Sequence, residues 1–506
     1  MEQVCHTGLR IQVEPGASAG KLLEALKALA RSGGHRIECS KAVGYIAESA
    51  LSASQEWIEI RYMMAYERGE ERESKQGLGQ FSQRLYIMNE KLQEFLGSSI
   101  PKRQNRLTIS GLNASLTAAG NAPHQPHLLR NRSFMRRYIV QVFHLQATFI
   151  AALNTGGTCR PELRKEEEGS RSLLEHRLEK VAVRALYALN LQMGEVTIRA
   201  GEEGKFTVEH VSAMPDFRGE AKAELAAEAM INLLTELHQT SDTANEPRML
   251  LGMDPEFLLF NRATGKVIPA SRYLEIGGEA GCDSLRYRGE RRFPLVELRP
   301  EPGGEPREVL IHLLRAFRLA YQAIDDKALQ WQAGGMPQPG FPLGGHIHFS
   351  GIPLTFELLQ VLDNYLALPI AVLEDRRGLK RRPRYGYLGD FRLQKHGGFE
   401  YRTLPSFLIS PLVTKGVVAI AALIAGHSGQ LRRRPLQNER IYTAFYHGDQ
   451  MQLREVLAEL YVDLASLAAY SKYESYIAPL MEAAWTGRTW DETKDIRRLW
   501  KLEKHS

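Results

Sequence analysis

The sequence predicts an α+β protein, an antiparallel sheet backed by helices, in two parts. Three observations predict this. Strand-like and helix-like segments are interspersed without the strict alternation of a doubly wound fold. Apolar residues recur at helical spacing in SLLEHRLEKVAVRALYALNL (172–191) and REVLIHLLRAFRLAYQAI (307–324). Between those runs, TSDTANEP (240–247) has no apolar residue except Ala244 and reads as a linker.

The elements follow in chain order. Leu9–Val13 predicts a strand and 20–31 a helix. AYERGEERESKQGLGQF (64–80) is strongly polar, a solvated helix end and loop. Residues 101–132 repeat Pro, Asn, Gly and Ser and read as loop. RRYIVQVFHLQATFIAAL (136–153) carries two strand-like runs. GEVTIRAGEEGKFTVEHVSAMP (194–215) reads as a hairpin turning at Gly201–Gly204, and 221–239 as a helix. After the linker, MLLGMDPEFLLFN (249–261), FPLVELRPEP (293–302), GGHIHFSG (344–351) and FEYRTLPS (399–406) read as strands. SPLVTKGVVAIAALIAGH (410–427) reads as an apolar helix, and the last 55 or so residues as mostly helical. No internal repeat is visible, which argues against a solenoid.

The chain has 506 residues, 43% hydrophobic and 25% charged, the composition of an ordinary soluble globular protein. A net charge of +6 is small for this length and gives no dedicated nucleic-acid binder, which would concentrate a basic stripe. Cys5, Cys39, Cys159 and Cys282 form no CxxC pair, which argues against a disulfide framework or structural zinc and for a reducing compartment. The N-terminus lacks the pattern of a signal peptide, and the longest apolar stretch, Val417–Ala425, is too short to span a bilayer. A cytoplasmic protein without membrane partners is the expectation.

Four segments carry chemistry. Asp254 and Glu256 lie two apart in MDPEF, so a strand puts both on one face. Glu297 sits inside the apolar run LVELRP, where a lone carboxylate is costly to bury unless a cation meets it. His346 and His348 lie two apart in GGHIHFS, and Glu400 and Arg402 two apart in FEYR. Each motif alone has a plain structural reading: a solvent face, a cross-strand ion pair, a polar pair. Together they supply what a sheet-floor site for a divalent metal and phosphate needs. Mg2+ takes carboxylate oxygen and tolerates an imidazole, and arginine matches phosphate or carboxylate in a fork.

The ordered set MDPEF, VELRPEP, GGHIHFS and FEYR resembles the carboxylate–amine ligases of the glutamine-synthetase-like superfamily. It is most similar to the amidoligases called COOH–NH2 ligases, over roughly residues 248–430. The resemblance implies an ATP- and Mg2+-dependent ligase that forms an amide or peptide bond through an acyl phosphate. Its substrates would be a small-molecule or peptide carboxylate and an amine. It implies that Glu256 and Glu297 hold one metal, and that Asp254, His346 and Glu400 hold another. His348 would lean on the nucleotide phosphates, with Gly344 and Gly345 leaving room for the nucleotide. Arg402 would meet the phosphoryl group or the substrate carboxylate. Arg384 and Arg392, from the basic run 374–392, would bind phosphate, and either Glu301 or Glu305 would join the metal site. Glu256, Glu400 and Arg402 are the catalytic candidates.

Residues 136–215 resemble the C-terminal part of an ATP-grasp domain. Aligned on Pro215, His210 and Ser212 replace that family's metal-binding Glu and Asn, while Glu195 keeps a ligand position and Glu209 is a neighbouring acid. The resemblance therefore implies a degenerate ATP-grasp-like domain over 1–239 and a ligase domain with a helical C-terminus over 248–506. Two other functions stay open: a catalytically degenerate nucleotide- or substrate-binding protein, and a zinc hydrolase using the HxH pair. The oligomeric state has no sequence signature.

Overall fold

The computed structural model describes residues 7–13, 17–31, 36–46, 53–63, 84–117, 136–153, 159–161, 172–201, 204–239, 249–287, 289–395 and 397–502. The chain divides into two compact units, Met1–Thr108 with Leu112–Ala244, and Ile109–Gly111 with Asn245–Ser506. The stretches 64–80 and 240–247 lie outside the described residues.

The first unit has two sheets. One orders its strands Arg36–Ile46, Ala53–Met63, Thr7–Val13 and Arg84–Ile87. The other runs Asn113–Ala114, Phe206–Ser212, Met193–Ala200, Arg136–Phe143, Gln146–Leu153 and Cys159–Pro161. The expected helix over 172–191 forms as Leu173–Ala188, because Ser172 opens it with a capping box. The Glu175 amide donates to Ser172 Oγ at 3.2 Å, and the Ser172 amide to Glu175 Oε2 at 2.7 Å. The loop expected at 101–132 is partly wrong: Ile100–Ile109 is a helix. Pro101 sits in its first turn, where no helical amide is needed, and Leu107 turns inward. Residues 118–132 lie outside the described set.

The second unit positions the site. A four-stranded antiparallel sheet orders Leu250–Met253, Ile347–Ser350, Phe399–Tyr401 and Phe391–Leu393. A five-stranded sheet orders Lys266–Ile268, Glu256–Asn261, Glu290–Leu298 and Ala280–Tyr287, with Leu329–Gln332 also pairing Glu256–Asn261. So 249–261 is not one strand, as its hydrophobicity suggests, but two strands in different sheets. The break is at Asp254–Pro255, where proline supplies no ladder amide. Pairing continues through the break on both sides. The amides of Asp254 and Glu256 donate to the His346 and Gly344 carbonyls, and the Pro255 carbonyl accepts from the Leu298 amide.

Beneath the Glu256 strand lies an aromatic core. Alternation turns Phe257 away from Glu256, and its ring stacks on Trp331 at 4.6 Å and Phe317 at 6.1 Å. Phe317 belongs to the amphipathic helix Pro306–Ala323. Two further helices, Phe356–Leu373 and Pro411–Gln430, are long and apolar enough to cross a membrane, a length the sequence reading underestimated. They are 89% and 61% buried inside the fold, as core helices are.

Candidate active site

The pairing registers assemble the site. In the four-stranded sheet, His348 lies opposite Gly252 on one side and Glu400 on the other, and Glu400 lies opposite Arg392. Gly252, His348, Glu400 and Arg392 thus form one row across four strands. Asp254 continues the Gly252 strand and comes over this row. Its Oδ2 is 3.2 Å from His348 Nε2, and its Oδ1 is 2.9 Å from His346 Nδ1. His346 Nδ1 also lies 3.0 Å from Glu400 Oε1. In the five-stranded sheet, Glu256 is directly opposite Glu297, and Glu297 is opposite Gly281. Asp283, two residues along, shares that face.

Two groups of ligand atoms result, each lying within 4.8 Å: Asp254, His348 and Glu400, and Glu256, Asp283 and Glu297. The two carboxylates of the DPE segment part company, one to each group. Five carboxylates and one imidazole make a hard, oxygen-rich donor set that suits Mg2+ better than zinc. A further observation fits a cation. Asp254 Oδ1, His346 Nδ1 and His348 Nε2 are buried and close, yet none is in hydrogen-bonding geometry. Each imidazole approaches the carboxylate as an ion pair, and a bound cation can take the place of the imidazole proton.

The electrostatics follow from burial and charge. Burial acts to raise Asp254, but the charges of His346 and His348 outweigh it and hold the carboxyl well below the usual range. Burial likewise opposes the charge on His346, and Asp254 and Glu400 overcome it, lifting the imidazole to about 9. Glu256 shows the opposite balance: burial pushes it up to about 7, and the charges of Asp283 and Asp254 add to the rise. The amide of Gly344 holds its Oε2 at 2.6 Å. Burial also acts to raise Glu400, but its contact with His346 holds it below the ordinary value.

Glu400 is fully buried and carries three cationic neighbours: His346, Arg402, and Arg392 at 2.5 Å. Arg402 and Arg392 therefore lie beside the first ligand group, paired to Glu400. Arg384 does not join them. It is exposed, with its guanidinium over the ring of Tyr385, because the buried arginines of the basic run are Arg381 and Arg382. Neither Glu301 nor Glu305 enters a ligand group. Glu301 is exposed beside Arg315, and Glu305, which precedes the Pro306–Ala323 helix without capping it through its side chain, pairs with Lys472 at 2.6 Å. The third carboxylate is Asp283, which the sequence reading missed; its only signal is an acid in the strand run AGCDSLRY. His348 falls in a ligand group, whereas its sequence-based role was a phosphate contact. Packing alone already requires glycine at 344 and 345. A Cβ on Gly344 would strike the His346 ring, and one on Gly345 the Pro405 carbonyl and the Phe407 ring.

In the first unit the ATP-grasp positions are engaged internally. Gln141 Nε2 donates to Glu195 Oε2 at 2.8 Å, and Ser212 Oγ donates to the Met214 carbonyl at 2.8 Å. Glu209 bridges Arg137 and Arg199 at 2.6 Å each, and His210 Nδ1 is 3.5 Å from the Thr117 carbonyl. Among the described residues, neither ligand group involves any of them.

Antiparallel sheets carrying two oxygen-rich ligand groups, with Arg392 and Arg402 beside one and Arg299 paired to Glu297 of the other, define a candidate cation- and anion-handling enzyme site. Residues 251–502 match the family Phage phiEco32-like COOH.NH2 ligase-type 2, and this part of the chain belongs to it. No curated protein matches the chain. Among solved structures, a bifunctional glutathione synthetase from Pasteurella multocida matches at 11% identity and a TM-score of 0.30, over 54% of this chain and 52% of that one. The ATP-grasp ligase PsnB in complex with precursor peptide PsnA2 and AMPPNP matches at 12% identity and 0.16, over 42% and 50%. A novel glutamine synthase homolog matches at 12% identity and 0.23, over 53% and 74%. The chain spans about half the length of the first two. Likenesses at this level define no chemistry.

Proposed function

We propose that this chain is an ATP- and Mg2+-dependent carboxylate–amine ligase that forms an amide or peptide bond through an acyl phosphate. The observation that carries the reading is the pair of ligand groups on adjoining sheets within the family-matched segment. Glu256, Asp283 and Glu297 would hold one Mg2+; Asp254, His348 and Glu400, with His346 against two of them, would hold the other. Bound Mg2+ would offset the phosphate charge of ATP and orient its γ-phosphoryl group.

The protein's own residues do the rest. Arg402 and Arg392, drawn to Glu400, present guanidinium donors to the phosphoryl oxygens or to the acid's carboxylate. The acid's oxygen attacks the γ-phosphorus and ADP leaves. The amine nitrogen then attacks the acyl carbon, loses a proton, and phosphate leaves. The acid and amine are a small molecule or a peptide. The first unit serves as a degenerate ATP-grasp-like domain that binds a substrate or supports the ligase. The internal hydrogen bonds of Glu195 and Ser212 support that reading.

The test is ADP release from mixtures of carboxylates and amines, followed by mass detection of the amide. Glu256→Ala and Glu400→Ala should each lower turnover by at least about 100-fold, the scale of losing one preorganised electrostatic group. Wild-type-like turnover in both variants would sink the reading.

A further inference from the structure

The helix Phe356–Leu373 lies in the core of the second unit, yet three consecutive residues in its middle are polar and buried: Asp363, Asn364 and Tyr365. They occupy a π-turn, Asp363–Ala367, closed by the Leu368 amide donating to the Asp363 carbonyl five residues back. Pro369 explains the turn. It has no amide, and its ring crowds the carbonyl of Tyr365 four residues earlier, so the helix widens to accommodate it.

Successive residues of a helix point about 100° apart, so the three polar side chains leave in different directions. Asn364 reaches the Leu436 amide at 2.9 Å. The Tyr365 hydroxyl donates to Asp463 at 2.6 Å and accepts from the Arg433 amide at 3.0 Å. Asp363 Oδ1 accepts from the Tyr401 hydroxyl at 2.7 Å and faces Thr403 Oγ1 at 3.5 Å. Tyr401 and Thr403 alternate with Glu400 and Arg402 on one extended segment. Strand alternation turns the first pair to the core and the second to the site.

We propose that Asp363 is the positioning residue for Glu400 and Arg402. From the π-turn it grips the core face of their segment, and so fixes the height and rotation at which the other face presents them. The inference deepens the ligase reading and rests on it for the identity of the cation. The π-turn also supplies an internal control. Tyr365, two residues further on, makes a partly buried hydroxyl–carboxylate bond, but that bond leads to the C-terminal helices and not to the Glu400 segment.

The experiment uses the full chain. Mn2+ binding without nucleotide is followed by electron paramagnetic resonance, alongside thermal melting and the Mg2+ dependence of ADP release. Asp363→Ala should weaken Mn2+ binding about tenfold or more and lower kcat, the scale of losing a group that orients a ligand. Asp363→Asn, which keeps the acceptor oxygen, should restore both to within about threefold. Tyr401→Phe should fall between them. Tyr365→Phe should lower the melting temperature while leaving Mn2+ binding within about twofold of wild type. The proposal fails if Asp363→Ala binds Mn2+ as wild type does, or if Tyr365→Phe weakens binding equally. Should Asp363→Ala not fold, unchanged Mn2+ binding in Tyr401→Phe overturns it. A wild-type protein that binds no Mn2+ is a different result, and it removes the cation site together with everything built on it.

Discussion

Asp254 and Glu256 are separated by one proline, yet they serve different charge groups. Strand spacing alone puts them on one face of one strand. The actual arrangement depends on Pro255 accepting a hydrogen bond from Leu298 of the neighbouring sheet, a long-range contact with no local signature. Asp283 was invisible for a related reason: its membership depends on the register that sets Gly281 opposite Glu297. Arg299 pairs with Glu297, but the charge of Asp283 bears directly on buried Glu256 and helps to push it up. Asp283→Asn should therefore raise the melting temperature of the metal-free protein while weakening Mg2+ or Mn2+ binding by about tenfold or more. Parallel melts in EDTA and metal titrations check this; a lowered metal-free melting temperature would count against a repulsive cluster.

At the scale of elements, the basic run 374–392 divides into arginines held in the core and arginines left at the surface. Arg382 is buried with Glu374 at 2.5 Å and lies over the Phe445 ring at 4.4 Å. Arg382→Ala leaves Glu374 buried without that partner, a change worth about 3–5 kcal/mol. Arg384→Ala, at an exposed position, should stay within about 0.5 kcal/mol of wild type. Urea unfolding of the two variants decides the matter, and similar values for both would contradict it. The contrast marks what was legible in the sequence. Long amphipathic helices such as Leu173–Ala188 and Pro306–Ala323 announced themselves, because periodicity is local. The motifs His346-x-His348 and Glu400-x-Arg402 were legible because strand alternation is also local. Which arginine of RGLKRRPRYG faces inward was not, since the arginines share one chemistry and only the fold distinguishes them.

For the whole molecule, three buried groups tie stability to pH in the same direction. Burial pushes Glu256 and Glu492 up to about 7, and Asp254 and Glu400 lift His346 to about 9 against its burial. Each sits above its unfolded value of about 4.5, 4.5 and 6.5. The stability each contributes is therefore complete below that unfolded value and lost as pH rises through the folded one. Above about pH 6.5 the metal-free protein should melt at steadily lower temperature up to about pH 9, with each carboxyl contributing on the order of 3 kcal/mol; below that, His144, pushed down to about 4 by burial, acts the other way. Added Mg2+ should flatten the decline above about pH 7, where it replaces the proton on Glu256. A melting temperature that rises over this range in EDTA would refute the assignment. The crossing at Asp254–Glu256 has one more consequence. Two residues of extended chain set the origins of its two carboxylates roughly 7 Å apart. That segment is hydrogen-bonded along both edges. The distance between the charge centres is thus a ruler cut into the backbone, and surface loops can lengthen or shorten without changing its scale.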